Sequence, residues 1–291
     1  MIEKILHPKN LYKAYRQVVS NKGSSGVDRM SIYELQSYKD ENRIKLMTSI
    51  LNRKYVPQAI KGVEIDKSSG GVRLLGVPTV VDRWLQQAVS QQLATKFELE
   101  FEPESYGFRP NKNTHQAVQQ SLKYINDGYQ DIVDIDLQSF FDEVQHYKLL
   151  QLIYNRVKCP TTLWLIRKWL RAPIQIDGKL HKRRKGVPQG SPLSPLLSNI
   201  LLDELDKELK RKGLHFVRYA DDFSIYAKSK AEARKLGNEV YFFLKRKIRL
   251  AHQPDKKRYS QTYKFWVVRP WFRTDLQKGG ERQIPVSCKE A

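Results

Sequence analysis

The sequence predicts an α+β fold in which an antiparallel sheet is backed by helices. Three patterns predict it: long stretches with apolar residues at helical spacing, two short apolar strands separated by an acidic bend, and an upstream strand in which apolar side chains alternate with carboxylates. With 291 residues and 40% hydrophobic composition, the chain can bury a sizeable core, either as one large domain or as two subdomains sharing it.

Taken in order, residues 11–56 read as helices joined by a turn at Asn21-Lys22-Gly23-Ser24-Ser25-Gly26, with 33–51 broadly helical. Val63-Glu64-Ile65-Asp66-Lys67 and Val72-Arg73-Leu74-Leu75 flank Ser68-Ser69-Gly70-Gly71, a hairpin signal because glycine tolerates the positive φ of tight turns. A helix is expected over 81–97. Between 131 and 141 the pattern is a strand: Val133, Ile135 and Leu137 share one face, Asp134, Asp136 and Gln138 the other. A further helix begins near Ser191-Pro192 and reaches Lys212, with Leu193, Leu196, Leu197, Ile200, Leu201 and Leu205 as its apolar stripe and Gly213 after its basic end. Residues 216–219 and 223–227 then form a hairpin with Ala220-Asp221-Asp222 at its bend.

Charge narrows the partners. Lys and Arg number 52 against 31 Asp and Glu, a net +21 spread along the chain, which suits a groove lined with phosphates better than a membrane-binding tail. No run approaches about 18 consecutive apolar residues and no N-terminal signal pattern is present, so a membrane partner is not expected. Cys159 and Cys288 are the chain's two cysteines, and no Cys/His cluster has zinc spacing; a disulfide framework or structural zinc is not expected, in keeping with a reducing compartment.

The chemistry-bearing pattern is a set of carboxylates. Phosphoryl transfer by two metals needs acids held at one point, because magnesium prefers oxygen ligands and the two ions sit about 3.5–4 Å apart. Asp136 and the pair Asp221-Asp222 meet that need, and three neighbouring carboxylates require a cation if they are to stay ionised. In a straight strand Asp221 and Asp222 would point to opposite faces, so Asp221 ranks first as the partner of Asp136. Their carboxylates are expected to converge.

Tyr219-Ala220-Asp221-Asp222 resembles the reverse-transcriptase hairpin motif. Asp136-Leu137-Gln138-Ser139-Phe140-Phe141-Asp142 resembles its upstream metal-binding motif, and Val187-Pro188-Gln189-Gly190-Ser191-Pro192-Leu193-Ser194-Pro195 its template-and-nucleotide loop. Tyr106-Gly107-Phe108-Arg109-Pro110, Leu75-Gly76-Val77-Pro78 with Asp82-Arg83, and Asn21-Lys22-Gly23 through Val27-Asp28 are similar to the group II intron branch. The resemblance covers roughly residues 11–250. It implies a right-hand polymerase with a fingers-like region over 1–130 and a palm-like catalytic region over 131–250.

By that resemblance Asp136, Asp221 and Asp222 would hold two Mg2+ ions, with Mn2+ as an alternative. Asp134 would be an electrostatic neighbour, and Asp142 structural. Lys67, Arg73 and Arg109 would hold the incoming triphosphate, arginine by its planar fork and lysine as a point charge. Phe141 would exclude a 2′-hydroxyl, making the chain a maker of DNA; the bare aromatic also reads as core. Gln189 and Gly190 would contact the nascent base pair, and 181–185 reads either as a template-backbone track or as a solvated hairpin tip. The implied partners are an RNA template, the intron's own RNA, a DNA primer or target and dNTPs, in a bacterial-type cytoplasm and with no oligomeric state specified. Two other readings stand beside this one: a non-catalytic RNA-binding remnant, and a group II-like reverse transcriptase serving another host process.

Residues 251–291 form an atypical tail that departs from the family pattern. Codons permitted by this tail, read from their second base, can spell a segment similar to the family's next palm motifs. The expectation is a frame slip after Leu250 that replaces the last palm strands.

Overall fold

The computed structural model describes residues 1–66, 72–137, 140–248 and 263–268. The chain opens with helices α1 (Ile2–Leu6), α2 (Pro8–Ser20) and α3 (Leu35–Leu51). Pro8 sits in the first turn of α2, where its missing N–H costs nothing, and His7 caps the turn by accepting from Lys9 N at 3.3 Å. The first sheet begins with β1 (Ile60–Asp66) and β2 (Val72–Val77), antiparallel as expected.

Helix α4 (Val80–Phe97) is capped by Thr79, whose hydroxyl accepts from Asp82 N. Asp82 is itself buried and accepts from Tyr55 Oη (2.6 Å), Trp169 Nε1 (2.7 Å) and Thr79 Oγ1 (2.8 Å). Burial pushes its carboxyl up and these donors pull it back. The Asp82-Arg83 pair is therefore a knot: the neighbouring Arg83 reaches Ser24 O at 2.6 Å and ties the first turn to α4.

After α5 (Thr114–Asn126), started by an Asn113/Gln116 capping box, comes β3 (Asp131–Leu137). Phe140 and Phe141, expected at the end of this strand, lie in helix instead. Phe140–Glu143 is a single helical turn, α6, because Phe140 drops into the core and the chain must fold back to bury it. Helices α7 (His146–Val157) and α8 (Pro160–Arg171) form an antiparallel hairpin and lead to the short strands β4 (Ile174–Ile176) and β5 (Lys179–His181). Strand β4 joins β1 in parallel and β5 pairs with β4 antiparallel, giving the order β2-β1-β4-β5. The first sheet thus receives two strands from within residues 174–181.

Helix α9 (Ser194–Arg211) starts three residues later than its prolines imply. Ser191 to Leu193 are held in a preceding turn by Ser194 N to Ser191 O (3.2 Å) and Ser194 Oγ to Pro188 O (2.6 Å). Strands β6 (His215–Tyr219) and β7 (Asp222–Ala227), helix α10 (Lys230–Phe243) and a π-helical turn at Leu244–Ile248 follow. The second sheet has the order β6-β7-β3-β8, where β8 is Tyr263–Val268. The tail supplies a strand on the otherwise open edge of β3. The rest of 251–291, and with it most of the frame-slip expectation, lies outside the described residues.

The second sheet has two distinct faces. Val133, Ile135, Leu137, Phe216, Phe223 and Ile225 enter the main core against the helices. Val217 and Tyr226 emerge on the other side, against Tyr106, Ala117 and Tyr124.

Candidate active site

The acidic bend is built by strand register. In the ladder between β3 and β7, Asp136 lies directly across from Asp222 and Asp134 from Ser224, while Tyr219 closes the β6–β7 hairpin opposite Asp222. Ala220 and Asp221 form the two-residue bend, Ala220 with φ of 59°. Asp222 is thus the first residue of a strand and exposed; Asp221 is half-buried at the bend. The register makes Asp222 the cross-strand neighbour of Asp136, with Asp221 adjoining. Side chains of Asp136 and Lys67 lie outside the described residues, and among the described residues no group of three acids, histidines or cysteines is close enough to hold a metal. The donor set is nonetheless hard oxygen throughout, which suits a divalent cation such as magnesium.

Asp134 sits behind this point on the same strand face. It accepts from Ser224 Oγ at 2.6 Å, and burial pushes its carboxyl up.

The bend is fixed from behind by groups that the sequence reading missed. Arg218 projects from β6 into the core and meets Asp206 of α9 through Nε (2.9 and 3.0 Å) and Nη2 (2.5 Å), both side chains fully buried. Its Nη1 donates to Asn199 Oδ1 (2.8 Å) and to the carbonyl of Ala220 (2.9 Å), so one guanidinium links α9 to the bend. Asn199 Nδ2 donates in turn to Gly107 O at 2.9 Å. A Cβ on Gly107 would stand 2.2 Å from Ala220 N, so only glycine permits this approach. A charged residue inside the Leu202, Leu205 and Leu209 stripe was the available signal.

The loop of residues 186–190 links the α6 turn to β2. Val187 N donates to Phe141 O (2.6 Å) and Gly186 N to Val144 O (2.7 Å), while Gly76 N of β2 donates to Gln189 O (2.7 Å). Gly190, with φ of 109°, has a position where a Cβ would be 2.9 Å from Gly76 O. Gln189 and Gly190 thus sit against Gly76 of β2. Phe141 is half-buried against Phe140, their rings edge to face at 5.5 Å. Phe140 is the core member of the pair.

The three expected triphosphate residues separate. Arg73 is exposed on β2, across from Ile65. Arg109 is corrected: its side chain is 5% exposed, and its donors are engaged by Glu98 (2.9 and 2.8 Å), Glu102 O (2.6 Å) and Ser105 O (2.8 Å). A guanidinium so enclosed clamps the 102–109 loop, with its donors turned to these acceptors. In the basic run, Lys185 bridges Glu143 at 2.6 Å and half-buried Arg183 is opposed by Asp142. The remaining cations of that run are exposed.

A sheet with acids at a hairpin bend, backed by helices, with a glycine loop linking α6 to a second β-hairpin, is a palm-and-fingers arrangement. The family model for reverse transcriptase (RNA-dependent DNA polymerase) matches residues 65–267, and the chain belongs to that family. It is 34% identical over 237 residues to the group II intron-encoded protein LtrA of Lactococcus lactis subsp. cremoris, covering 81% of this chain and 38% of LtrA. It is 29% identical over 296 residues to YkfC of Escherichia coli K12, covering 88% of this chain and 78% of YkfC. A telomerase structure from Candida albicans shares the fold, with TM-score 0.54 and 15% identity over 82% of this chain and 47% of that one. The chain spans well under half of LtrA. Members of the family use divalent metals and RNA templates. Among the described residues, no helix is long and apolar enough to cross a membrane.

Proposed function

We propose that this chain is an RNA-directed DNA polymerase of the group II intron type. In the proposed reaction a primer 3′-oxygen forms a bond to the α-phosphorus of a dNTP, the bond to the bridging oxygen breaks, and pyrophosphate leaves. The observation that carries the reading is the ladder register that sets Asp222 across from Asp136, with Asp221 at the adjoining bend.

Asp136, Asp221 and Asp222 are the residues proposed to hold two Mg2+ ions, which when bound would acidify the 3′-hydroxyl and neutralise charge on the phosphates. The protein's own contribution is positional. Arg218 and Gly107 hold the bend; Gln189 and Gly190 present backbone to the new base pair; Arg73, with Lys67, offers positive charge to the triphosphate. Phe141 stands as the proposed barrier to a 2′-hydroxyl. The similarity to LtrA supports an intron RNA as a further partner, with a role in its splicing.

Primer extension on an RNA template tests this directly. Synthesis with Mg2+ that is lost in Asp221→Asn supports the reading; synthesis indifferent to Asp221→Asn removes it.

A further inference from the structure

A groove of about 400 Å3 runs between α7 and α8, built by two helix faces of different chemistry. On α7, Tyr147, Leu150 and Tyr154 recur at helical intervals; on α8, Leu163, Arg167 and Arg171 do the same. One wall is aromatic, the other cationic. Tyr147 is 77% exposed and Tyr154 48%, so neither ring belongs to the core, and both arginines are exposed. Tyr147 and Tyr154 are about 10 Å apart along the helix axis, and Arg167 and Arg171 about 6 Å, at 1.5 Å per residue. Among the described residues no carboxylate lines the groove.

One end of the groove continues into the basic run. His146 lines that end and its Nε2 donates to Gly186 O at 2.8 Å, placing it beside 181–185. Burial, with the charges of Arg183 and Arg171, pushes the His146 imidazole down, so this end stays positive without a protonated histidine.

We propose that the α7–α8 groove binds single-stranded RNA, with bases on Tyr147 and Tyr154 and phosphates on Arg167 and Arg171. Rings need an unstacked base to face them, which a duplex does not offer, and aromatic faces beside a cationic track are the general means of holding a single strand. Tyrosine and arginine also serve protein interfaces, but such a partner would have to be acidic over the whole length of the groove, on a chain of net charge +21. The site deepens the polymerase reading and rests on it for the identity of the polyanion.

Crosslinking with a short single-stranded RNA carrying 4-thiouridine, without nucleotide or divalent metal, tests the site on the unaltered chain. Crosslinked peptides containing Tyr147 or Tyr154 are expected. The Arg167→Gln/Arg171→Gln variant should make the slope of log affinity against log salt shallower by about 1.4, since each phosphate contact to a single strand contributes about 0.7. Tyr147→Ala/Tyr154→Ala should weaken binding about thirtyfold or more with the slope unchanged, at about 1 kcal/mol or more per stacked base. Crosslinks confined to other peptides, with both variants binding as the parent does, would overturn the proposal. So would a change in self-association of the tyrosine variant with RNA affinity intact, which assigns the groove to a protein. Failed primer extension bears only on the polymerase reading, because the crosslink needs no synthesis.

Discussion

Arg218 and Asp206 form a fully buried ion pair directly behind the acidic bend, and the same guanidinium also donates to the Ala220 carbonyl of that bend. Removing one partner leaves a charge in the core, which typically costs about 3–5 kcal/mol. Arg218→Met should therefore destabilise the chain by that order in chemical denaturation. Arg218→Met/Asp206→Leu should recover much of the loss, because an apolar pair of similar volume leaves no stranded charge. The double variant should nonetheless remain weak in primer extension, since nothing then holds Ala220.

The contact of Gly107 with Ala220 gives a second expectation. A methyl group at 107 cannot fit at 2.2 Å from Ala220 N without moving the bend. Gly107→Ala should lower kcat by about 100-fold, the scale associated with displacing reacting groups by about 1 Å. Circular dichroism should show the fold retained. A variant with parental kcat would show that the loop yields instead of the bend.

Asp203 predicts a pH effect. Burial raises its carboxyl from 3.8 to about 6, although Lys207 approaches it at 2.5 Å. The folded state then holds this proton more tightly than the unfolded state, so stability falls as pH rises from about 4 to about 6 and stays lower above. The displacement is worth about 3 kcal/mol. Asp203→Asn should be more stable than the parent above pH 6 by that order, and the difference should vanish near pH 4. Denaturation midpoints across that interval measure it.

Much of the site was legible because local rules governed it. Val133, Ile135 and Leu137 alternate cleanly, and two short apolar runs around Ala220-Asp221-Asp222 can hardly form anything but a hairpin. What escaped depends on distant partners. The β1–β4 pairing rests on two register positions more than a hundred residues apart, and no local pattern encodes it. Arg218 reads as an ordinary strand cation until Asp206 is placed beneath it. Phe140 looks like strand alternation because the need to bury its ring, which turns the chain into α6, arises only from the helices around it. The enclosure of Arg109 was hidden for the same reason, its acceptors Glu98, Glu102 and Ser105 becoming visible only once the loop is closed.

Phe141 separates its two readings by selectivity. It is half-buried beside a fully buried Phe140, so truncation should not empty the core. Phe141→Ala should admit ribonucleotides with a loss of discrimination approaching about 100-fold, the scale on which an apolar pocket rejects an added hydroxyl. Competition between dNTP and rNTP in primer extension measures it. Unchanged selectivity with a lowered melting temperature would return Phe141 to the core.

Arg73 and Arg109, which share a residue type and an expected role, should fail in opposite ways. Arg73 is exposed on β2, and its proposed contact is with an arriving triphosphate. Arg73→Ala should leave stability within about 0.5 kcal/mol of the parent and raise the dNTP KM about tenfold, the loss of a charge-assisted hydrogen bond of about 1.5 kcal/mol. Arg109 is enclosed and satisfies the carbonyls of Glu102 and Ser105 as well as the Glu98 carboxylate. Arg109→Ala strands those acceptors and should cost about 2–4 kcal/mol in denaturation, with the dNTP KM of the folded fraction unchanged. A raised KM in Arg109→Ala at parental stability would mean that this guanidinium leaves its clamp when nucleotide binds, and would restore it to the triphosphate site.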